Sequence, residues 1–258
     1  MISLLNYRPG ETENVHGEHL PAGKTKIVWK YHCYHAGKPG EKRKKKANKT
    51  KESQQKVNDR QTERRLTGIL NENFDGSSWY VTWSYREDLR PEDIEELKLQ
   101  ISQLLRDLRK LYKKEGLVLK YVWTAEVGKR GAVHIHMVLS GIDARKLRGI
   151  WKYGYVTMKP MDPSGQYSRL ASYFLKYFQK TRETDRQIQK HAYNPSRNLS
   201  RPDPQKEKIS AGTFRRKVRE PKGWYIDKQV APDNGGIRYG ITEDGYEYIY
   251  YILVKEDP

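Results

Sequence analysis

The sequence predicts an α+β protein in which helices pack on an antiparallel sheet, with a small β meander at the C-terminus. Two strand-like segments, residues 117–128 and 131–141, are joined by the short turn "GKRG", which is typical of an antiparallel hairpin. Residues 91–116 open with proline and an acidic first turn, carry leucine and isoleucine at helical spacing, and stop at glycine. They predict an amphipathic helix that packs on the sheet.

The remaining elements follow from local composition. We expect strands at residues 25–35, 77–85 and 153–160, helices at 54–72 and 168–181, and the β meander between 223 and 254. Residues 37–53 contain no apolar residue larger than alanine and predict a mobile basic loop, while residues 190–222 are rich in Arg, Lys and Pro and predict irregular structure. No internal repeat is present.

The charge balance limits the possible partners. The 258 residues include 50 Lys and Arg against 32 Asp and Glu, a formal net charge of +18, which favours nucleic acid first and anionic lipid second. A solvated basic face without a partner is the alternative. A single cysteine, Cys33, excludes an internal disulfide framework and suits a reducing, intracellular setting. Without a secretory leader or an apolar run of about 18 residues, we expect a soluble protein.

Two histidines stand at alternate positions of the second hairpin strand. In a strand, His134 and His136 face the same side, while Val133, Ile135 and Met137 face the other. An isolated pair of this kind is often structural, with its hydrogen bonds satisfied inside a core. Here Glu126 ends the preceding strand, so the turn can place it beside the pair. Two imidazoles and one carboxylate suit Mn²⁺ or Mg²⁺ and would also accept Zn²⁺.

The helix predicted at residues 168–181 contains "YFLKYFQK", residues 173–180. At about 100° per residue, Tyr173, Lys176, Tyr177 and Lys180 fall within one arc, while Phe174, Leu175 and Phe178 occupy the adjoining arc and can anchor the helix on the sheet. Such a tyrosine stripe can simply edge a core. Beside two lysines in a basic protein it also suits a phosphate site.

These side chains together suggest phosphodiester chemistry. A metal would polarise the phosphodiester and a phenolate would attack it, which leaves a covalent phosphotyrosine that can be rejoined without ATP. Because the ordinary pKa of tyrosine is about 10, the hydroxyl needs nearby positive charge, and Lys176 is placed to supply it.

The set formed by Glu126, "HIH" and "YFLKYFQK" resembles the HUH endonucleases, and in particular the two-tyrosine rolling-circle replication initiators of isometric single-stranded DNA phages and related bacterial plasmids and mobile elements. "WYVTWSY", residues 79–85, is similar to the first motif of that family, and "YNPSRNLSRP", residues 193–202, resembles a segment that follows the tyrosine helix in some members. The resemblance covers roughly residues 54–182. Residues 1–53 and 203–258 carry no recognised motif.

The resemblance implies a five-stranded antiparallel sheet and site-specific nicking of single-stranded or melted origin DNA, with a 5′-phosphotyrosine and a free 3′-OH primer as products. It implies catalytic roles for Tyr173, Tyr177, Lys176 and Lys180, and one Mn²⁺ or Mg²⁺ ion held by Glu126, His134 and His136. It also implies a nicking and rejoining core at residues 54–190, between an N-terminal strand with its basic loop at 1–53 and a basic, β-rich extension at 191–258. Which tyrosine attacks first is left open.

Basic residues near these motifs are the candidates for DNA contact: Arg43, Lys44, Lys45, Lys46, Arg130 and Arg197. "GEHLPAGKT", residues 17–25, has five residues between its glycines where a P-loop has four, and a strand is predicted after it, so we expect no nucleotide cofactor. The chain would then depend on a host helicase and polymerase, in the cytoplasm of a bacterial host and away from membranes.

Several alternatives share part of this pattern. Conjugative or mobilisation relaxases and transposases use the same chemistry, but relaxases usually take a third histidine ligand and keep the nucleophile near the N-terminus. A cupin would need a glutamate soon after the histidine pair, and a histidine-triad hydrolase would need histidine at Val138. A non-catalytic basic DNA-binding protein is the main alternative of another class.

Overall fold

The computed structural model describes residues 15–32, 52–128, 131–182, 188–242 and 245–256. The chain forms two compact units, one from residues 61–201 and the other from residues 1–60 together with 202–258. Each unit has its own sheet and its own apolar core, and each is described by itself.

Eleven strands and four α-helices lie in the described part of the chain. In order they are β1 (Val15–Ala22), β2 (Thr25–His32), α1 (Glu52–Asn73), β3 (Trp79–Tyr85), α2 (Ile94–Lys114), β4 (Tyr121–Val127), β5 (Val133–Leu139), α3 (Ala144–Arg148), β6 (Gly154–Pro160), α4 (Ser168–Thr181), β7 (Asn194–Pro195), β8 (Gln205–Lys208), β9 (Trp224–Ile226), β10 (Arg238–Ile241) and β11 (Glu247–Lys255). None of these helices combines the length and apolarity that crossing a bilayer requires.

The unit of residues 61–201 is built on a five-stranded sheet in the order β6-β3-β5-β4-β7, with every pair antiparallel. The predicted hairpin is therefore confirmed as β4 and β5, and the helices at 54–72, 91–116 and 168–181 are confirmed as α1, α2 and α4. Helix α2 starts at Ile94, because the side chain of Asp93 accepts a hydrogen bond from the Glu96 amide and caps the first turn. The α+β class predicted from the sequence is the observed one.

One face of this sheet is wholly apolar. The inward residues of β5, namely Val133, Ile135 and Met137, are buried there as predicted. They pack against the leucine stripe of α2, which contributes Leu97, Ile101, Leu104, Leu108 and Tyr112. The alternation of β5 thus commits its even-numbered residues, including both histidines, to the opposite face.

The opposite face is covered only in part. Val122 and Val138 lie side by side on it and form a second core with the end of α1 and with α4. Phe174 and Leu175 of α4 are fully buried in this core, as the helical arc predicted. The helix is therefore held over the sheet by its apolar side, which leaves the neighbouring tyrosines to face the polar end of the strands.

The second unit joins the two ends of the chain in one sheet, ordered β10-β11-β2-β1-β8, with β9 paired to β11. The predicted C-terminal strands are present, but β11 pairs with β2, so they extend an N-terminal hairpin and do not stand alone. Strand β1 was not predicted, because "VHGEHLPA" contains Gly and Pro, which usually interrupt strands. Strand β8 likewise lies in the stretch predicted to be irregular.

Gly154, at the start of β6, has no room for a side chain. A Cβ there would clash with the carbonyl oxygen of Ser84 and lie 2.7 Å from the amide nitrogen of Arg86. We expect Gly154→Ala to lower the free energy of unfolding by about 1–3 kcal/mol, because backbone atoms cannot move aside as a flexible side chain can. Chemical denaturation of the full chain measures this change.

Gly149→Ala is the matched control. Gly149 has φ −71° and its nearest neighbour would be 3.9 Å from a new Cβ, so this substitution should leave stability within about 0.5 kcal/mol of the parent. Equal stability of the two variants would show that the approach of β6 to β3 is looser than described.

Candidate active site

Polar side chains form rows across the partly covered face of the five-stranded sheet. Ser84, His134 and Glu126 stand opposite one another on β3, β5 and β4. In the next row, Thr82 stands opposite His136. The strand periodicity alone brings these five residues to one face, so the site is a direct product of the sheet register.

The predicted proximity of Glu126 and the two histidines is confirmed. Oε1 of Glu126 lies 3.2 Å from Nε2 of His136, and the two imidazole centroids are 6.2 Å apart. His136 and Glu126 expose only 5% and 13% of their side chains, so water screens this pair weakly. Burial is the main cause that lowers the pKa of His134, with Glu126 opposing it, which favours a neutral ring.

Hydroxyl groups on β3 hold the other nitrogen of each ring. Ser84 Oγ lies 3.0 Å from Nδ1 of His134, and the Tyr80 hydroxyl lies 2.8 Å from Nδ1 of His136, with Thr82 Oγ1 at 3.3 Å. Since a carboxylate only accepts hydrogen bonds, a neutral His136 carries its proton on Nε2 toward Glu126, and Tyr80 donates to Nδ1. Each imidazole is thereby fixed in orientation, with its Nε2 available toward the site.

Both predicted tyrosines of α4 lie over the histidine pair. The ring of Tyr173 meets His136 edge-on with centroids 5.3 Å apart, and the ring of Tyr177 stacks on His136 at 5.6 Å with an angle of 10°. The two tyrosine rings are 4.7 Å apart. The twin phenols and the carboxylate–imidazole group thus form one cluster on one side of the sheet.

The phenols form a hydrogen-bonded chain. The bond between Tyr177 and Tyr173 lowers the pKa of Tyr173, as expected when Tyr177 donates, while the bond to Tyr80 raises it, as expected when Tyr173 donates. Burial is the larger cause and raises the pKa of Tyr173 to about 12; it also raises that of Tyr177. Both phenols are therefore protonated at neutral pH in the free chain.

The two lysines of the tyrosine helix lie at its exposed side. Nζ of Lys180 lies 5.8 Å from the centre of the Tyr177 ring, a cation–π distance. Lys176 is exposed and is not among the groups that shift the pKa of Tyr173 or Tyr177. The lowering of a phenol pKa expected from Lys176 is thus absent in the free chain, and its catalytic role stays a prediction.

The donor atoms fit a divalent ion, although they are not arranged as a finished metal site. Within the described ranges, no group of three or more His, Cys, Asp or Glu side chains has the spacing of a metal cluster. The chemistry of the set is nevertheless suitable, because Glu126 supplies a carboxylate oxygen and Nδ1 of both imidazoles is already engaged by a hydroxyl group. Metal-binding histidines commonly show this arrangement. An ion at Nε2 of His136 would replace its bond to Glu126.

The sequence did not single out several residues that line the site. A cleft of about 370 Å³ is bounded by the cluster and by five further side chains: Tyr80, Thr82, Ser84, Thr157 and Lys159. The alternation of "WYVTWSY" carried a usable signal, since every second residue bears a hydroxyl. Lys159 stands opposite Tyr80 on β6 and adds a cation that no local motif indicated.

The residues predicted to contact DNA are not brought to this cluster. Arg43, Lys44, Lys45, Lys46 and Arg130 lie outside the described residues. Arg197 is exposed and follows Ser196, whose amide donates to the Tyr121 carbonyl. Five residues separate Tyr121 from Glu126 along β4, so Arg197 lies near the far end of that strand, roughly 16 Å away.

The same segment of the chain matches a known family. Residues 78–182, from the start of β3 to the end of α4, match the family model described as Replication-associated protein ORF2. Neither the curated proteins nor the solved structures contain a match. The matched family comprises rolling-circle replication initiators, and the match supports a role for this chain in DNA replication. The resemblance to rolling-circle initiators found in the sequence is confirmed over residues 78–182, which hold every residue of the cluster.

Proposed function

We propose that this protein nicks and rejoins single-stranded DNA at a replication origin through a tyrosine-linked intermediate. The observation that carries the proposal is the position of two phenols against His136, on the sheet face that also bears Glu126 and His134. The family match supports the setting of rolling-circle replication. Melted origin DNA is the substrate, and a host helicase and polymerase are the partners.

The reaction is a transesterification at phosphorus. The oxygen of a tyrosine forms a bond to the phosphorus atom, the bond between phosphorus and the 3′ oxygen breaks, and that oxygen leaves as a 3′-hydroxyl after it takes up a proton. The number of phosphate ester bonds is unchanged, so the reverse reaction rejoins a strand without ATP. The free 3′-hydroxyl is the primer.

Glu126, His134 and His136 are the residues that would hold a Mn²⁺ or Mg²⁺ ion. When bound, the ion supplies Lewis-acid polarisation of a non-bridging phosphate oxygen. Ser84 and Tyr80 keep the two imidazoles in orientation through Nδ1. Rotation of these rings is thus restrained before any ligand arrives, which lowers the entropic cost of assembling the site.

Tyr173 is the first nucleophile in this proposal. It lines the cleft together with both histidines, and its hydroxyl accepts from Tyr177. A donor at the phenolic oxygen stabilises the phenolate that attacks. Tyr177, one helical turn further and stacked on His136, is placed to receive the second strand in the rejoining step.

Cations around the cleft would offset the charge of the phosphate. Lys159 lines the cleft from β6, while Lys176 and Lys180 extend from the exposed side of α4. A phosphodiester that enters between them brings negative charge close to all three ammonium groups. The lysines then act on the bound phosphate, which is consistent with their lack of effect on the phenols of the free chain.

The nucleophile assignment predicts an ordered loss of covalent product. The full chain is incubated with Mn²⁺ and a pool of randomised single-stranded oligonucleotides labelled at the 3′ end, and the adduct is resolved on a denaturing gel. We expect Tyr173→Phe to reduce the single-turnover rate of adduct formation roughly 10³-fold or more, because phenylalanine has no attacking oxygen. Tyr177→Phe should reduce it less, and the double variant should give no adduct.

Tyr155→Phe is the control, since Tyr155 is 67% exposed on the same sheet and opposite Ser84. A parallel reaction labelled at the 5′ end should release a fragment that a polymerase extends, which identifies the free 3′-hydroxyl. DNA binding without any adduct in the parent chain would favour the non-catalytic DNA-binding alternative.

The ligand assignment predicts Mn²⁺ binding that calorimetry detects without DNA. We expect Glu126→Gln and His134→Ala each to weaken the Mn²⁺ Kd at least about tenfold, because each removes one donor of the set. Adduct formation should fall with binding and recover in part at higher Mn²⁺ concentration. Unchanged Mn²⁺ affinity in both variants would place the ion elsewhere.

The hydrogen bond from Tyr80 to His136 predicts a positioning effect. Tyr80→Phe keeps the ring and removes only the hydroxyl, so we expect Mn²⁺ binding to weaken about tenfold while the protein stays folded. The measurement is the same calorimetric titration, and Tyr155→Phe again serves as control. An affinity equal to that of the control would show that Thr82 alone suffices to orient the ring.

A further inference from the structure

The unit formed by residues 1–60 and 202–258 contains a cleft of about 610 Å³ that no part of the nicking chemistry uses. Four cationic side chains line it: Lys30, Arg216, Lys217 and Arg219. They come from β2 and from the segment that precedes β9. The cleft therefore unites parts of the chain that are nearly 190 residues apart and that carry no recognised motif.

Two apolar side chains fix the basic segment in place. Phe214 and Val218 pack against the core formed by Ile226, Ile249 and Leu253 among others. The ring of Phe214 also stacks on His32 with centroids 5.0 Å apart and an angle of 14°. Because the anchors flank residues 215–217, these cations are presented on an ordered part of the chain.

Lys30 lies at the floor of the cleft. It stands in a cross-strand row with Ile249, Gly17 and Glu207, and is only partly exposed. Burial lowers the pKa of Lys30, and the nearby carboxylate of Glu207 opposes that effect only in part. An anion bound beside this ammonium group would recover interaction energy that burial removes.

The cations above the floor are not neutralised by neighbours. Arg216, Lys217 and Arg219 are exposed, and none of them takes part in an ion pair within the part of the chain that the structure describes. Glu207 supplies one negative charge against four positive ones at the cleft. An excess of this kind, concentrated in a concave surface, attracts polyanions.

We propose that this cleft binds the phosphodiester backbone of nucleic acid, as a second DNA site separate from the nicking cluster. Tyr251, the aromatic residue in the lining, is 7% exposed, so its ring offers no open platform on which a base could stack. The contacts available are then charge–phosphate contacts, which hold DNA without reading its sequence. The proposal does not depend on the nicking reaction, because it concerns other residues and requires no metal.

Salt-dependent binding tests this assignment. The full chain carrying Tyr173→Phe and Tyr177→Phe is used with EDTA, so that covalent capture does not contribute, and anisotropy of a labelled single-stranded oligonucleotide gives the Kd at several salt concentrations. Arg216→Ala/Lys217→Ala/Arg219→Ala should weaken binding roughly tenfold or more at low salt. Since each phosphate contact adds about 0.7 to the slope of log K against log salt for single strands, that slope should fall by about 2.

Lys222→Ala/Lys228→Ala/Lys255→Ala is the matched control, because it removes the same charge from exposed positions of the same unit outside the cleft. Equal losses of affinity and slope in the two triple variants would overturn the proposal. Lys30→Gln tests the floor alone and should weaken binding while the melting temperature stays near that of the parent. Inorganic triphosphate and ATP are added as competitors; displacement of DNA at a concentration equal to their own Kd would assign the cleft to free polyphosphates and overturn the assignment to nucleic acid.

Discussion

The packing of Phe174 and Leu175 against Val122 and Val138 determines the geometry of the candidate active site. These four side chains fix the rotation of α4 about its own axis. Since successive residues of a helix are separated by about 100°, that rotation decides where Tyr173 points. The phenol meets His136 because the apolar neighbour of Tyr173 is buried, so the chemistry depends on a hydrophobic contact that never touches a substrate.

The same burial places a chemical demand on the site. It raises the pKa of Tyr173 to about 12, so roughly one phenol in 10⁵ is ionised at pH 7. A reactive nucleophile then exists only when positive charge or an added donor stabilises the phenolate. The hydrogen bond from Tyr177 supplies part of this effect within the protein. A phenol that stays protonated in the free chain is also protected from unproductive reactions.

The local patterns of the sequence predicted the α+β class, the β4–β5 hairpin, three helices and the approach of Glu126 to His134 and His136. They succeeded because alternation in a strand and spacing in a helix are properties of neighbouring residues. The role of Tyr80 was missed, because its partner His136 is 56 residues away and only the register of β3 with β5 joins them. The pairing of β2 with β11 was missed for the same reason: it joins the two ends of the chain, and no short window of sequence contains both strands.

The register of β5 links stability to function. A shift of one residue would carry His134 and His136 into the apolar core beneath α2 and would expose Ile135 and Met137 on the polar face. Burying two imidazoles among leucines without hydrogen-bond partners costs several kcal/mol, so the fold strongly rejects that alternative. The positions of the proposed ligands are therefore enforced by the side of the strand that takes no part in catalysis. Substitutions that keep Val133, Ile135 and Met137 apolar preserve the site even when they lie outside the cleft, and a polar residue at these positions disturbs it without contacting any ligand.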